Sequence, residues 1–178
     1  MEKIIAIILA ALSFLVLLFI GLRSDLLKEG SAPGKPYSFH KFQLWIWTLV
    51  ILPAFVLYWG FSPDHIPGIN NTSLVLLGIS GATAMTAEVI VATQKTGTAP
   101  SLKAVHLNSS GFWTDLLKDD NNQLSLVRLQ QLIFTFVYVV IYVSAFLPHM
   151  QYPEFDTTTY TLMGISTGTF LLGKGLNK

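Results

Sequence analysis

Residues 38–43 read Ser-Phe-His-Lys-Phe-Gln and lead to Thr48, and residues 125–130 read Ser-Leu-Val-Arg-Leu-Gln and lead to Thr135. Further along, residues 76–83 read Leu-Leu-Gly-Ile-Ser-Gly-Ala-Thr, and residues 162–169 read Leu-Met-Gly-Ile-Ser-Thr-Gly-Thr. The first pair is offset by 87 residues and the second by 86. Two matches in the same order at nearly one offset predict a duplicated unit. The one-residue difference falls in the connection inside each unit, where insertions are tolerated.

The composition says what kind of unit this is. Hydrophobic residues make up 52% of the 178 residues and charged residues 12%, against roughly 25% charge in ordinary soluble domains. A bilayer span needs about 20 largely apolar residues. Five stretches meet or approach that length: 4–22, 42–61, 73–92, 129–147 and the shorter 158–173. The expected fold is therefore an all-α integral membrane protein of five transmembrane helices. An N-terminal anchor helix precedes two tandem hairpins that form parallel repeats. Four regions follow: the anchor and its linker (1–36), the first hairpin (37–93), a loop with a short interfacial helix (94–123) and the second hairpin (124–178). The chain has no cysteine, which excludes disulfides and thiolate chemistry.

The position of the charges predicts the topology. Arg23, Lys28, Lys35, Lys41, Lys95, Lys103, Lys118, Arg128, Lys174 and Lys178 fall on one side of a five-span chain, and only Lys3 falls on the other. Basic residues in short loops mark the cytoplasmic side, so the N-terminus is expected outside and the C-terminus inside. More positive charge follows the first span than precedes it, so that span reads as an uncleaved anchor and not as a signal peptide. The prokaryotic inner membrane is the expected location. The net charge of +1 gives no basis for nucleic-acid binding.

Side-chain size predicts the packing. Lipid tails are as apolar as Leu, so helices associate in a bilayer through close backbone approach and hydroxyl hydrogen bonds. Gly78, Ser80, Ala82 and Thr83 in the third span, and Gly164, Ser166, Gly168 and Thr169 in the fifth, supply such faces. These two spans are expected inside the bundle or at a contact between copies, with the second and fourth facing lipid and the first peripheral. Pro53 is expected to kink the second span. Lys41, Arg128, Trp45 and Trp113 are expected to anchor helices at the interface. Residues 112–118 read as a short amphipathic helix in the interface plane, with Ser110 as its cap.

Each chemical motif has a structural reading beside it. Ser38 and Lys41 have the spacing of a nucleophile and its base, but the repeat substitutes Arg128 for the lysine, so helix capping by Ser38 and Ser125 is preferred. Gln43 and Gln130 lie one turn inside the membrane and need hydrogen-bond partners, either between helices or along a vestibule. Glu88 is an ionisable residue inside a span, and its counterpart is Lys174; an ion pair is preferred over a ring of carboxylates around a cation path. The four histidines have no metal-ligand spacing, and no phosphate loop is present. No metal, cofactor or catalytic residue is therefore assigned.

Two functions fit. One is a homo-oligomeric anchor or scaffold whose basic cytoplasmic face docks a soluble protein. The other is a homo-oligomeric pore lined by 73–92 and 158–173, with Glu88 or the glutamines at its mouth. A coupled transporter would keep several mid-membrane ionisable groups, and an enzyme would need a nucleophile–base or paired-carboxylate arrangement; neither is found.

Overall fold

The computed structural model describes residues 1–29, 34–62, 68–78, 108–118 and 123–162. Among them the regular structure is helical, with no strand and two isolated antiparallel bridges. Three helices are long and apolar enough to cross a membrane: α1 (Glu2–Arg23), α2 (Phe39–Phe61) and α5 (Leu126–His149). At about 1.5 Å rise per residue, each covers the roughly 30 Å hydrocarbon layer. Between them stand α3, described over 71–78, and the short α4 (Phe112–Leu117); α6 (Thr157–Leu162) follows α5. The predicted spans 73–92 and 158–173 run past the described residues. Ser80, Ala82, Thr83, Glu88, Gly164, Ser166, Gly168, Thr169 and Lys174 lie outside them.

From Ile4 to Ile20 helix α1 is a run of Ala, Ile, Leu, Val and Phe broken by Ser13 alone, whose hydroxyl donates to the Ala10 carbonyl at 2.9 Å. Glu2 in its first turn and Arg23 in its last complement the helix dipole. It lies antiparallel on α2, with Gly21 against Trp45 at one end and Ala6 against Gly60 at the other. The Trp45 indole N–H donates to the Leu17 carbonyl at 3.0 Å. The first span is thus peripheral in exposure but closely paired with α2, and Trp45 joins two helices as well as lying near their end. Small residues at helix crossings allow this approach, and here they sit on the first two spans.

Helices α2 and α5 run parallel and are held by two clusters. At the end bearing Lys41 and Arg128, Phe39 and Phe42 of α2 meet Leu116 of α4 and Leu132 of α5. Further along, Trp47, Ile51 and Ala54 of α2 meet Leu76 of α3 and Tyr142 and Phe146 of α5. Trp47 is fully buried, with its ring 6.1 Å from that of Tyr142 and tilted 68° to it. The expectation that α2 faces lipid is modified by this: α1 covers one side of α2, and α4 and α5 cover another. Helix α2 continues through Pro53. That proline lines an apolar cleft with Phe14 of α1 and Val143 and Leu147 of α5.

At the opposite end the two hairpin tips are tied together. Asn70 donates through its amide to the Pro153 carbonyl at 2.8 Å, and Tyr152 donates to the Gly68 carbonyl at 2.9 Å. Burial raises the Tyr152 phenol well above its usual range, so it stays a neutral donor. Thr72 accepts from the Phe155 backbone and from the Tyr160 hydroxyl.

The helix caps recur at the offsets of the sequence repeat. Ser38 precedes α2 and Ser125 precedes α5, 87 residues on. Ser125 accepts from the Arg128 backbone at 3.4 Å, whereas Ser38 makes no side-chain capping bond. Asn70 and Asp156, 86 apart, precede α3 and α6. Asn70 Oδ1 accepts from the Ser73 backbone and hydroxyl, and Asp156 Oδ1 accepts from the Thr159 backbone and hydroxyl in the same way. Asn70→Ala should cost about 1 kcal/mol in detergent unfolding, the usual loss for a cap. The Thr159 backbone N–H and hydroxyl hold the Asp156 carboxyl below its ordinary pKa. Its capping contribution is therefore present above the unfolded-state pKa and fades as pH falls through the folded-state pKa. Asp156→Asn should remove that part of the acid sensitivity while keeping the cap, since Asn70 caps its helix as a neutral amide.

Candidate functional site

The densest polar arrangement at the basic end is built around Asp115, in the first turn of α4. The residue is 6% exposed. Its Oδ2 accepts from the Tyr37 backbone at 3.2 Å and from the Ser109 hydroxyl at 2.6 Å, and its Oδ1 accepts from the Ser110 backbone at 2.9 Å. One carboxylate therefore joins the segment before α2 to the segment before α4, 78 residues apart. Gly111 is the residue before the first turn and makes no side-chain capping bond. The expected Ser110 cap is not formed: its hydroxyl accepts from Lys118, and its backbone N–H is bound by Asp115, which reaches back from inside the helix.

Aromatic contacts reinforce this clamp. The Phe112 ring stands edge-on to Tyr37 at 5.0 Å and to Phe42 at 5.7 Å. Leu116 is buried, while Trp113 on the other side of α4 is 58% exposed. Lys118 donates from Nζ to the Ser110 hydroxyl at 2.8 Å, and the Arg128 guanidinium donates to the Lys118 carbonyl. The result is a short helix fixed under α2 and α5, with one large aromatic ring turned outward at the end of the molecule that bears Lys118 and Arg128.

The same turn occurs before α2. Residues 25–28 and 115–118 both read Asp-Leu-Leu-Lys. In the first, Leu27 closes a 3-10 turn, the Ser38 backbone N–H donates to the Leu27 carbonyl at 2.7 Å, and Lys28 bridges to Tyr37. In the second, the Ser125 backbone N–H donates to the Leu117 carbonyl at 2.8 Å, and Lys118 bridges to Leu124. The aspartates differ in use: Asp25 pairs with Lys28 at 2.7 Å and is exposed, and that pairing raises the Lys28 pKa, whereas Asp115 is buried. The duplicated tetrapeptide marks the two turns in the sequence, but not which aspartate is drawn inward.

The glutamines one turn inside the helices have different surroundings. Gln43 is buried and donates from Nε2 to the Thr135 hydroxyl at 3.3 Å. Thr135 in turn donates to the Gln131 carbonyl at 2.8 Å. Gln130 is exposed. Gly78 is also exposed, and among the described residues nothing beyond its own helix comes within 4 Å of where a Cβ would stand. Ser73, at the start of the third predicted span, is buried and shares a 2.8 Å hydrogen bond with the Tyr142 hydroxyl. Among the described residues, no three His, Asp or Glu side chains converge as metal ligands. The arrangement is suited to holding and presenting a surface. No protein-family model, curated protein or solved structure matches this chain.

Proposed function

We propose that this chain is a homo-oligomeric inner-membrane scaffold, with its N-terminus outside, that docks a soluble protein at its basic cytoplasmic face. It is built as an anchor helix and two tandem parallel hairpins, five spans in all. The observation that carries this reading is the fixed α4. A carboxylate buried at three hydrogen bonds holds the helix against α2 and α5, and Trp113 is left outward. Exposed aromatic residues beside basic ones are favoured contact points for protein partners. The start of the third span argues in the same direction. Ser73 and Leu76 are buried against α2 and α5, so this part of the helix meets protein where a pore would need water.

The tests are direct. In this Cys-free chain, Glu154→Cys should react with an impermeant maleimide from outside the cell, and Lys35→Cys only after permeabilisation; the reverse pattern overturns the topology. A photoreactive amino acid at position 113 should cross-link a discrete soluble protein in living cells, and purified oligomers should be silent in planar bilayers. Discrete single-channel currents altered by Glu88→Gln would replace the scaffold with the pore lined by 73–92 and 158–173.

A further inference from the structure

Pro53 of α2 borders a cleft that opens between α1 and α5. The floor is made of buried side chains: Leu49 and Ala54 of α2, and Tyr142 and Phe146 of α5. The mouth is not closed. Phe14 of α1 is 40% exposed, and Val143 and Leu147 of α5 are 37% and 50% exposed. Phe14 and Pro53 lie near the middle of helices long enough to cross a membrane, so in a bilayer the mouth meets hydrocarbon. The cleft holds about 180 Å³. An apolar cavity of roughly 150 Å³ stays dry and binds benzene, so one aromatic ring fits here.

The walls are hydrocarbon with one polar exception. Pro53 has no backbone N–H, so the carbonyl of Leu49, four residues earlier, loses its helical donor. Leu49 and Pro53 both line the cleft. Among the described residues no side chain donates to that carbonyl, and the Tyr142 hydroxyl is engaged with Ser73. Inside a bilayer, water is not present to take the donor's place. The electrostatic complement of this oxygen is a hydrogen-bond donor carried on an apolar body. The feature belongs to α2 alone: 87 residues on, Pro53 and Ala54 correspond to Val140 and Ile141, so the cleft does not follow from the hairpin architecture by itself.

We propose that this cleft binds the ring of a membrane-soluble phenol, with the phenolic O–H donating to the Leu49 carbonyl. The ring lies among Phe14, Tyr142 and Phe146, where edge-to-face and offset contacts between aromatic rings are favourable. An acyl chain fills the same space but leaves the oxygen bare, so the hydroxyl is what selects the phenol from bulk lipid. The site needs only that α1, α2 and α5 lie in the bilayer, and it is independent of the scaffold reading.

Competition photolabelling of the full chain in lipid nanodiscs tests it. The probe is an alkylphenol carrying a diazirine on its chain, and the labelled residues are read by mass spectrometry. Saturable labelling is expected at Phe14, Val143 or Leu147. Unlabelled alkylphenol should displace the probe about fivefold to tenfold better than the matched alkylbenzene, the worth of one neutral hydrogen bond. Pro53→Ala restores a backbone N–H that returns to the Leu49 carbonyl, and it removes a helix interruption instead of adding one. In that variant the phenol and the benzene should compete equally. Labelling that rises in proportion to the probe and is not displaced would mean that bulk lipid fills the cleft, and would overturn the proposal. Equal competition by the two in the unaltered protein, or a phenol preference that survives Pro53→Ala, would overturn it as well, because the Leu49 carbonyl would not then be the recognising group.

Discussion

Asp115→Ala is expected to release α4 from the bundle and to cost about 2–5 kcal/mol. The substitution removes a single acceptor group, but it strands three donors: the Tyr37 and Ser110 backbone N–H groups and the Ser109 hydroxyl. Hydrogen bonds to a charged partner contribute roughly 1.5–3 kcal/mol each, and a buried donor left unpaired costs about 1–3 kcal/mol. These do not add fully, because the loop can open and let water reach the stranded groups. The opening is itself the readout. Phe112 and Leu116 would leave the cluster with Phe39, Phe42 and Leu132, and protease sites in the loop would become accessible while α1, α2 and α5 stay embedded. Asp115→Asn keeps an acceptor oxygen and most of the shape, so it should fall between wild type and alanine. If Asp115→Ala matches wild type in denaturant and in protease resistance, the clamp does not hold α4. Asp25→Ala is the contrast: its carboxylate is exposed and salt-bridged at the surface, and the loss should stay below about 1 kcal/mol.

The three described membrane-length helices were legible because their signal is long and redundant. Hydropathy places spans at 4–22, 42–61 and 129–147, and the helices run Glu2–Arg23, Phe39–Phe61 and Leu126–His149. The sequence windows start late for α2 and α5 because His40, Lys41 and Arg128 depress hydropathy in a first turn that is nevertheless helical. Ser38 and Ser125 mark those starts better than apolar content does. Asp115 was illegible for a different reason. On a helical wheel, an aspartate between Trp113 and Leu116 looks like part of a solvated face, and periodicity cannot tell a wet carboxylate from one that three donors have drawn inward. The duplicate Asp-Leu-Leu-Lys marks the turn but not the burial, since Asp25 in the other copy is exposed. It stands 90 residues apart, not 87, because the connection from Lys28 to Ser38 is three residues longer than that from Lys118 to Ser125. A search at fixed offset passes over it. The small-residue rule was applied to the third and fifth spans, where glycines cluster, and passed over Gly21 and Gly60, which are single glycines in otherwise bulky helices. A single glycine is informative only when the facing residue is known, and that needs the fold.

Gly60→Ala is expected to destabilise the α1–α2 pair by about 1–3 kcal/mol, and adding Ala6→Gly should recover most of the loss. A Cβ built on Gly60 would overlap the Ala6 Cβ, and the Ala6 Cα and the Glu2 carbonyl are the next nearest atoms. Neither methyl can rotate away, so the helices must separate, and overpacking of this kind typically costs 1–3 kcal/mol. Moving the methyl from one helix to the other keeps the crossing distance, which is why the exchange should rescue. At the other end, Gly21→Ala meets the edge of the Trp45 indole. There the ring can swing, but only by giving up its hydrogen bond to the Leu17 carbonyl, a further loss of about 1 kcal/mol. The two sites sit at opposite ends of a 22-residue helix, far enough apart that their effects should add. The double variant Gly21→Ala, Gly60→Ala should therefore lose about 3–6 kcal/mol in detergent-induced unfolding, enough to detach α1 in a protein of ordinary marginal stability. Proximity cross-linking between α1 and α2 would report the detachment directly. An unchanged cross-link in the double variant, or no rescue of Gly60→Ala by Ala6→Gly, would mean that α1 is held on α2 by its leucine and isoleucine surface and not by these two close contacts.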